Sequence, residues 1–190
     1  MSRPQFVLVA GPNGAGKSTL TLSIKHRFPN IEVVDPDAIA KGMTGSFATV
    51  DQEQVSAGKR TLELVKQYIE NGQSLIVEST ISGSTYLKYA KMAKEAGFRT
   101  IFIYVCLSSA DMSAQRVAKR VSFGGHAIPL EDVKRRYPRS MGNLRIYIKA
   151  FESAHIYDNS EHYRWLAGYR NGLIHNASTN IPQWLVPYLP

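Results

Sequence analysis

Short apolar runs alternate along this chain with longer segments that repeat apolar residues at helical spacing. The runs predict buried strands, and the segments with apolar residues three or four positions apart predict helices. The predicted strands cover residues 6–10, 31–34, 74–77, 100–107 and 153–157. The predicted helices cover residues 20–28, 52–68, 84–95, 109–121 and 130–151. This alternation indicates an α/β fold, in which a parallel sheet of about five strands carries helices on both faces.

Local signals refine this pattern in three places. Ser108 or Ser109 can cap the fourth helix, because a hydroxyl oxygen accepts hydrogen bonds from first-turn amides. Pro138 lies inside the last helix and is expected to kink or split it. Asn171-Gly172 predicts a hairpin turn, so the end of the chain should add a hairpin to one edge of the sheet.

A glycine-rich loop joins the first strand to the first helix. Its sequence GPNGAGKS fits the phosphate-binding pattern G-x-x-x-x-G-K-[ST], in the strand–loop–helix context that the pattern requires. In such a P-loop the backbone amides and the helix dipole bind phosphate oxygens, the lysine reaches the β- and γ-phosphates, and the serine can ligate Mg²⁺. The predicted ATP site comprises Gly11, Pro12, Asn13, Gly14, Ala15, Gly16, Lys17, Ser18 and Thr19, with Mg²⁺ on Ser18. The predicted fold is therefore a P-loop NTPase three-layer sandwich.

Acidic residues follow the second and third predicted strands, whose carboxyl ends should face the same crevice as the P-loop. Asp35 and Asp37 follow the second strand, where a carboxylate can accept the proton of an acceptor hydroxyl or hold Mg²⁺. Asp37 is the preferred base, and an ordinary Asp-Pro turn is the alternative interpretation of the pair. Glu78 follows the third strand and is the nearest candidate for a Walker B carboxylate.

The net charge of +8 is unevenly spread along the 190 residues. Residues 116–149 hold nine lysines and arginines against two acidic residues. A solvated helix face, a nucleic-acid patch and arginines that clamp a transferring phosphoryl group are the three interpretations. Arg116 and Arg120 share one helix face just before the glycine-containing segment 122–129. This arrangement predicts a helical lid around residues 116–139 that delivers arginine to the phosphates.

The remaining observations concern location and secondary contacts. The chain has a single cysteine, Cys106, which lies in an apolar run, and it shows no signal peptide and no segment of transmembrane length. These features predict one cytoplasmic domain, residues 1–190, without a membrane partner. Asn159 follows the last parallel strand, where it is a candidate for the adenine edge of ATP or for a tight turn. His126 follows two glycines and is a candidate phosphate or acceptor contact, or a loop histidine of no special role.

The ordered set GPNGAGKS, VVDPD, LIVEST, an arginine-rich helix and GGHAIP resembles the zeta-toxin family of P-loop kinases, especially its short branch of predicted ABC-type ATPases. The similarity covers about residues 5–160. It implies ATP-dependent phosphorylation of a hydroxyl on a UDP-activated amino sugar, typically UDP-N-acetylglucosamine. It also implies ATP and Mg²⁺ as cofactors and a small antitoxin protein as partner, although no residue implies toxicity.

The resemblance assigns roles by position. Lys17 and Ser18 would serve ATP and Mg²⁺, and Asp37 would be the base. The acceptor would be bound by Glu78 and Thr80, and the phosphates would be clamped by Arg120 and Arg136. Among the other candidates, Arg116 belongs with the nucleotide, and Asp35 and His126 with the acceptor. A nucleoside, nucleotide or polynucleotide kinase and a nucleotide-dependent switch with slow ATPase activity are the rival functions.

Overall fold

A computed structural model gives the architecture of the chain. It describes residues 3–28, 31–36, 39, 50–125 and 127–190, with only the backbone for residues 50–56. The strands are β1 (Gln5–Ala10), β2 (Glu32–Val34), β3 (Leu75–Ser79), β4 (Arg99–Cys106), β5 (Ser153–Asp158), β6 (Arg164–Arg170) and β7 (Leu173–Ala177). The helices of the described ranges are α1 (Lys17–Lys25), α2 (Val50–Glu70), α3 (Thr85–Glu95), α4 (Ala110–Ser122) and α5 (Leu130–Ala150), followed by a short 3₁₀ turn (Val186–Tyr188).

The seven strands form one sheet in the order β2-β3-β1-β4-β5-β6-β7. The first five strands of this order pair in parallel, and β6 and β7 join them in antiparallel fashion. Asn171 and Gly172 form the two-residue turn between β6 and β7, both with positive φ (48° and 78°), as such hairpin turns require. The predicted five-stranded parallel sheet and its edge hairpin are confirmed.

Strand β1 lies between β3 and β4, and the pairing register places the ends of the three strands together. Ala10 at the end of β1 is opposite Ser79 of β3 and Tyr104 of β4, and the next strand along pairs Cys106 with Asp158. Because parallel strands point the same way, their carboxyl ends meet at one edge of the sheet. The P-loop leaves β1 at this edge, next to the loops that follow β3, β4 and β5.

Helices cover both faces of the sheet and bury two apolar layers. On one face, Leu20 of α1 and Met112 of α4 pack against the sheet, while Val65 of α2, Ala90 of α3 and Leu144 of α5 pack on the other. The result is the predicted three-layer α/β sandwich. Within the described ranges, none of the helices combines the length and the apolar character needed to cross a membrane.

Two local expectations have different outcomes. Ser109 caps α4 by accepting a hydrogen bond from the Met112 amide at 3.1 Å, as one of the two predicted serines should. Pro138, in contrast, does not split the last helix, because α5 is continuous from Leu130 to Ala150. Pro138 has no amide to donate to the Lys134 carbonyl, but both residues are exposed, so water can satisfy that carbonyl.

A buried aromatic cluster joins α5 to the sheet. The ring of Phe102 lies 5.4–5.9 Å from those of Tyr104, Tyr147 and Phe151, within the range of favourable aromatic pairs. The Tyr104 hydroxyl is fully buried and shares a 2.9 Å hydrogen bond with the Ser140 hydroxyl of α5. This bond satisfies two polar groups that would otherwise be buried at a cost.

We expect Tyr104→Phe to lower the free energy of unfolding by about 1–2 kcal/mol, because the Ser140 hydroxyl loses its partner. Urea titration followed by circular dichroism measures this loss. If the hydrogen bond is the cause, the double variant with Ser140→Ala loses less stability than the two single variants added together. Strictly additive losses would contradict this assignment.

Candidate nucleotide and phosphoryl-transfer site

The P-loop passes so close to neighbouring strands and loops that two of its positions admit only glycine. A Cβ at Gly11 would lie 2.1 Å from the Val105 carbonyl oxygen of β4. A Cβ at Gly16 would lie 2.3 Å from the Tyr163 hydroxyl, and the φ of Gly16 is +92°. Both distances are shorter than van der Waals contact allows, so the glycines of the motif have steric reasons in this fold.

The carbonyl groups in the first half of the P-loop are held by side-chain donors. Lys17 Nζ donates to the carbonyls of Gly11 and Pro12 at 3.0 and 3.1 Å. Ser113 of α4 is buried and donates its hydroxyl to the Asn13 carbonyl at 2.5 Å. The ammonium group of Lys17 therefore lies over the loop, within reach of a phosphate bound there.

Two side chains from the segment after β5 hold the second half of the loop. Asn159 Nδ2 donates to the Ala15 carbonyl at 2.9 Å, and the Tyr163 hydroxyl donates to the Gly16 carbonyl. The Asn159 side chain thus lies on the P-loop backbone, a contact that neither interpretation from the sequence, the adenine edge or a tight turn, had predicted. The Gly11 and Ala15 amides already donate to the carbonyls of Ser79 and Pro12, so the remaining loop amides are the groups that can meet an anion.

The start of α1 fits a nucleotide phosphate. Gly16 occupies the N-cap position and has no side chain to bond the first-turn amides, which begin at Lys17. First-turn amides lack intrahelical partners and carry the positive end of the helix dipole. The side-chain oxygen of Asn13, which lines the same cavity, is buried without a hydrogen-bond partner among the described residues. The loop therefore has the amide donors that ATP phosphates would use, whereas the Asn13 oxygen is an acceptor and needs a donor such as water or a hydroxyl group.

A hydrogen-bonded pair of oxygens beside the P-loop fits Mg²⁺. Ser18 Oγ donates to Glu78 Oε2 at 2.7 Å, and Glu78, inside β3 rather than after it, is only 5% exposed. Burial raises the pKa of Glu78, whereas the Ser18 hydrogen bond and the Lys17 charge act in the opposite direction. Mg²⁺ prefers oxygen ligands and keeps several waters, so one hydroxyl and one or two carboxylates suffice on the protein side. Asp35 is near enough to contribute a further charge that acts on Glu78.

One cavity of about 470 Å³ brings the predicted residues together. It lies at the carboxyl edge of the sheet and extends from the P-loop to α2, α3 and the lid. Its lining includes Asn13, Gly14, Gly16, Lys17, Ser18, Thr19, Asp35, Glu78, Thr80, Arg116, Arg120 and Arg136 from the sequence-based predictions. It also includes Pro36, Ala57, Gly58, Ser79, Tyr86 and Ile128, which the sequence did not single out. Asp37 and His126, the predicted base and loop histidine, lie outside the described residues.

The glycines of the lid end α4 and position Arg120. Gly124 has a φ of +80°, and its amide donates to the Val121 carbonyl. The Gly125 amide donates to the Arg120 carbonyl, which completes a Schellman cap. A Cβ at Gly125 would lie 2.6 Å from the Arg120 side chain, so this glycine also lets the lid segment pack against the arginine.

The other two lid arginines are held by protein partners. Arg116 donates to the Ser160 carbonyl at 2.8 Å, and this bond ties α4 to the segment after β5. Arg136 of α5 donates to Asp132 at 3.1 Å, and Arg135 also pairs with this carboxylate. The hydrogen bond from Arg135 and the nearby charge of Arg136 lower the pKa of Asp132.

Sequence patterns could not have found Ser113, Tyr163 or Tyr86. Each acts on the site through a contact across the fold, and none belongs to a motif of fixed spacing. The serine–glutamate pair was also missed, although both residues were candidates separately.

The part of the chain that resembles known proteins includes most of the residues of this site. The family model of the AAA domain matches residues 6–137, a range that includes the P-loop, Glu78 and the three lid arginines. An uncharacterized protein of Haemophilus influenzae is 32% identical over 131 residues, or 69% of this chain and 91% of that protein.

Solved structures share the fold at lower identity. A chain of the PezAT chromosomal toxin–antitoxin system of Streptococcus pneumoniae superposes with a TM-score of 0.64 and 19% identity, covering 86% of this chain and 71% of its own. A chain of the structure of AvrRxo1-ORF1:-ORF2 with ATP superposes with a TM-score of 0.69 and 16% sequence identity, and the match covers 91% of this chain and 60% of that one. A chain of the Pnkp1/Rnl/Hen1 RNA repair complex superposes with a TM-score of 0.59 and 18% sequence identity, and the match covers 74% of this chain and 45% of that one. These likenesses confirm the predicted P-loop fold.

We expect Tyr163→Phe to weaken ATP binding by about 3–10-fold, because one hydrogen bond that orients the Gly16 peptide is lost. Isothermal titration calorimetry measures the change. Tyr147→Phe is the matched control, since its hydroxyl donates to a carbonyl outside the P-loop, that of Gly83, at 2.8 Å. Equal losses in the two variants would show that the effect is not specific to the P-loop.

Proposed function

Since the chain belongs to the AAA domain family, whose model matches residues 6–137, we propose that it is an ATP-dependent kinase that phosphorylates a hydroxyl of a small acceptor. The observation that carries this proposal is one cavity that contains a P-loop, two carboxylates and three arginines. A phosphoryl-transfer site needs these three components, because its catalysis consists mostly of positioning and charge stabilisation.

The P-loop would hold the ATP phosphates through its amides and through Lys17. The Lys17 ammonium already lies at the loop, 3.0 Å from the Gly11 carbonyl, and can exchange that carbonyl for a phosphate oxygen. Ser18 and Glu78 would hold Mg²⁺, which neutralises charge on the phosphates when bound. Glu78 then serves the metal side of the site, a different role from the acceptor contact that the family resemblance implied.

The acceptor hydroxyl would lose its proton to an aspartate after β2. Asp35 lines the cavity, and Asp37 follows it two residues later. A carboxylate in this place can orient the hydroxyl toward the γ-phosphate and take its proton as the bond to phosphorus forms. Arg120 and Arg136 would stabilise the charge that develops on the transferred group, with Arg116 on the nucleotide side.

The acceptor that we propose is a UDP-activated amino sugar such as UDP-N-acetylglucosamine. The order of the motifs supports it, because this order resembles that of the zeta-toxin family, and Thr80 contributes a hydroxyl group to the lining of the cavity. A small antitoxin protein is the partner that we propose. It is supported by the likeness to chains of PezAT, a toxin–antitoxin system, and of the AvrRxo1-ORF1:-ORF2 complex.

A second candidate is a kinase that acts on the end of a nucleic acid. Exposed lysines and arginines on α4 and α5 favour it, together with the fold shared with a chain of an RNA repair complex. Binding to an oligonucleotide would then weaken steeply with salt, because counterions are released from the phosphate backbone.

The test is incubation of the protein with Mg·ATP and a panel of UDP-sugars, nucleosides and oligonucleotides, followed by mass spectrometry. We expect one UDP-amino sugar to gain one phosphate group. The Lys17→Ala variant should be folded and inactive, because the lysine is needed at the phosphates and not in the core. Transfer to oligonucleotides alone would select the second candidate, and unchanged turnover by Lys17→Ala would remove the kinase assignment.

We expect Asp37→Asn to reduce phosphoryl transfer by about 10²–10⁴-fold, because the amide keeps the shape of the carboxylate but cannot take a proton. ATP affinity should stay within a few-fold of wild type. Asp35→Asn is the matched control, measured in the same single-turnover assay. Loss of transfer in Asp35→Asn alone would move the base to Asp35, and full activity in both variants would show that neither aspartate is the base.

A further inference from the structure

The lining of the cavity includes a helical wall with no assigned role. It consists of Ala57 and Gly58 of α2 and Tyr86 of α3. Tyr86 is largely buried, so its neighbours hold its ring in place at the cavity. All three residues belong to helices, which position side chains more precisely than loops do.

Gly58 is an unusual residue for its place in this wall. It lies inside the 21-residue helix α2, where glycine destabilises a helix relative to alanine. Its φ is not positive, so the backbone conformation does not require glycine. A Cβ built on Gly58 meets no heavy atom of the described residues within 4 Å, so packing against those residues does not require glycine either.

Gly142 provides an internal comparison. It is likewise inside a 21-residue helix, α5, without positive φ and with no atom of the described residues within 4 Å of a built Cβ. Gly142 faces solvent and is not part of the cavity lining, whereas Gly58 lines the cavity. At both positions glycine destabilises the helix relative to alanine, but Gly58 borders the cavity and Gly142 borders solvent.

We propose that Gly58 determines the size of the acceptor, by leaving room against α2 for the acceptor's sugar ring in the part of the cavity lined by Tyr86. This inference rests on the proposed function. A sugar ring has an apolar C–H face that can pack on the Tyr86 ring and hydroxyl groups that can meet Thr80. The lack of a side chain at position 58 is then a feature of the binding site, and it gives a reason for a helix-weakening glycine at this position.

The test compares Gly58→Ala with Gly142→Ala. Both substitutions should raise Tm by about 2–4 °C, because alanine favours the helix over glycine. Gly58→Ala alone should weaken UDP-N-acetylglucosamine binding by roughly tenfold or more, because the methyl group occupies space that the acceptor needs. ATP affinity should be unchanged in both variants. Acceptor binding is measured by calorimetry with a non-hydrolysable ATP analogue present, and transfer by mass spectrometry.

A second pair of variants is Gly58→Leu and Gly142→Leu. Leucine is also a good helix former, and at position 58 its larger side chain would fill more of the cavity than alanine does. Equal acceptor affinity in wild type, Gly58→Ala and Gly58→Leu would overturn the inference while leaving the proposed kinase function intact. Saturable binding of UDP-N-acetylglucosamine without any phosphorylated product would refute the proposed function, and the affinities of the variants would still decide the role of Gly58. If wild type neither binds nor phosphorylates this sugar nucleotide, the proposed acceptor and the role of Gly58 are both wrong, and the other acceptors of the panel decide the kinase assignment.

Discussion

The carbonyl groups of the P-loop must be bound elsewhere for its amides to face a ligand, and the rest of this structure supplies their partners. The loop of six residues, 11–16, carries six carbonyl acceptors but only five amide donors, because Pro12 has no N–H, and unpaired carbonyl oxygens would repel a bound anion. Here Ser113, Asn159 and Tyr163 hold the carbonyls of Asn13, Ala15 and Gly16. Lys17 donates to the carbonyls of Gly11 and Pro12, and it is the donor that the proposed mechanism transfers to a phosphate. Ser113 belongs to α4, which covers the same face of the sheet as α1, and the other two residues follow β5, so the anion site depends on the correct assembly of this face with the carboxyl edge of the sheet.

The buried carboxylate of Glu78 is the electrostatic counterpart of this loop. A carboxylate that is 5% exposed is costly unless donors or cations accompany it. Ser18 donates to it, and the Lys17 charge lies nearby, so the site balances its charges within the protein. The same oxygens are the ligands that Mg²⁺ prefers, and a cation can therefore replace part of this internal balance without rearrangement of the strands.

The sequence predicted those parts of the protein that depend on local pattern. Five parallel strands, the P-loop, the Ser109 cap and the Asn171-Gly172 hairpin each depend on residues close together in the chain, and the structure confirms them. Pro138 was expected to kink or split the last helix. The helix is not split, because tertiary packing of Val133, Met141 and Leu144 on both sides of the proline keeps it continuous. Tyr163 and Ser113 act on backbone carbonyls about 100 to 150 residues away, a distance at which periodicity carries no information. Asp37 and His126 remain predictions.

The lid shows how an arginine can be both ordered and available. Arg135 and Arg136 share the Asp132 carboxylate, through its two different oxygens. If Arg136 moves to a phosphate, Arg135 still neutralises Asp132, so no carboxylate is left unpaired by the exchange. The pairs are partly exposed, and such ion pairs contribute little net stability, so their disruption is inexpensive. A shared carboxylate therefore holds Arg136 near the cavity while keeping the barrier to its transfer low, which suits the role that we propose for Arg136, stabilisation of charge that develops during phosphoryl transfer.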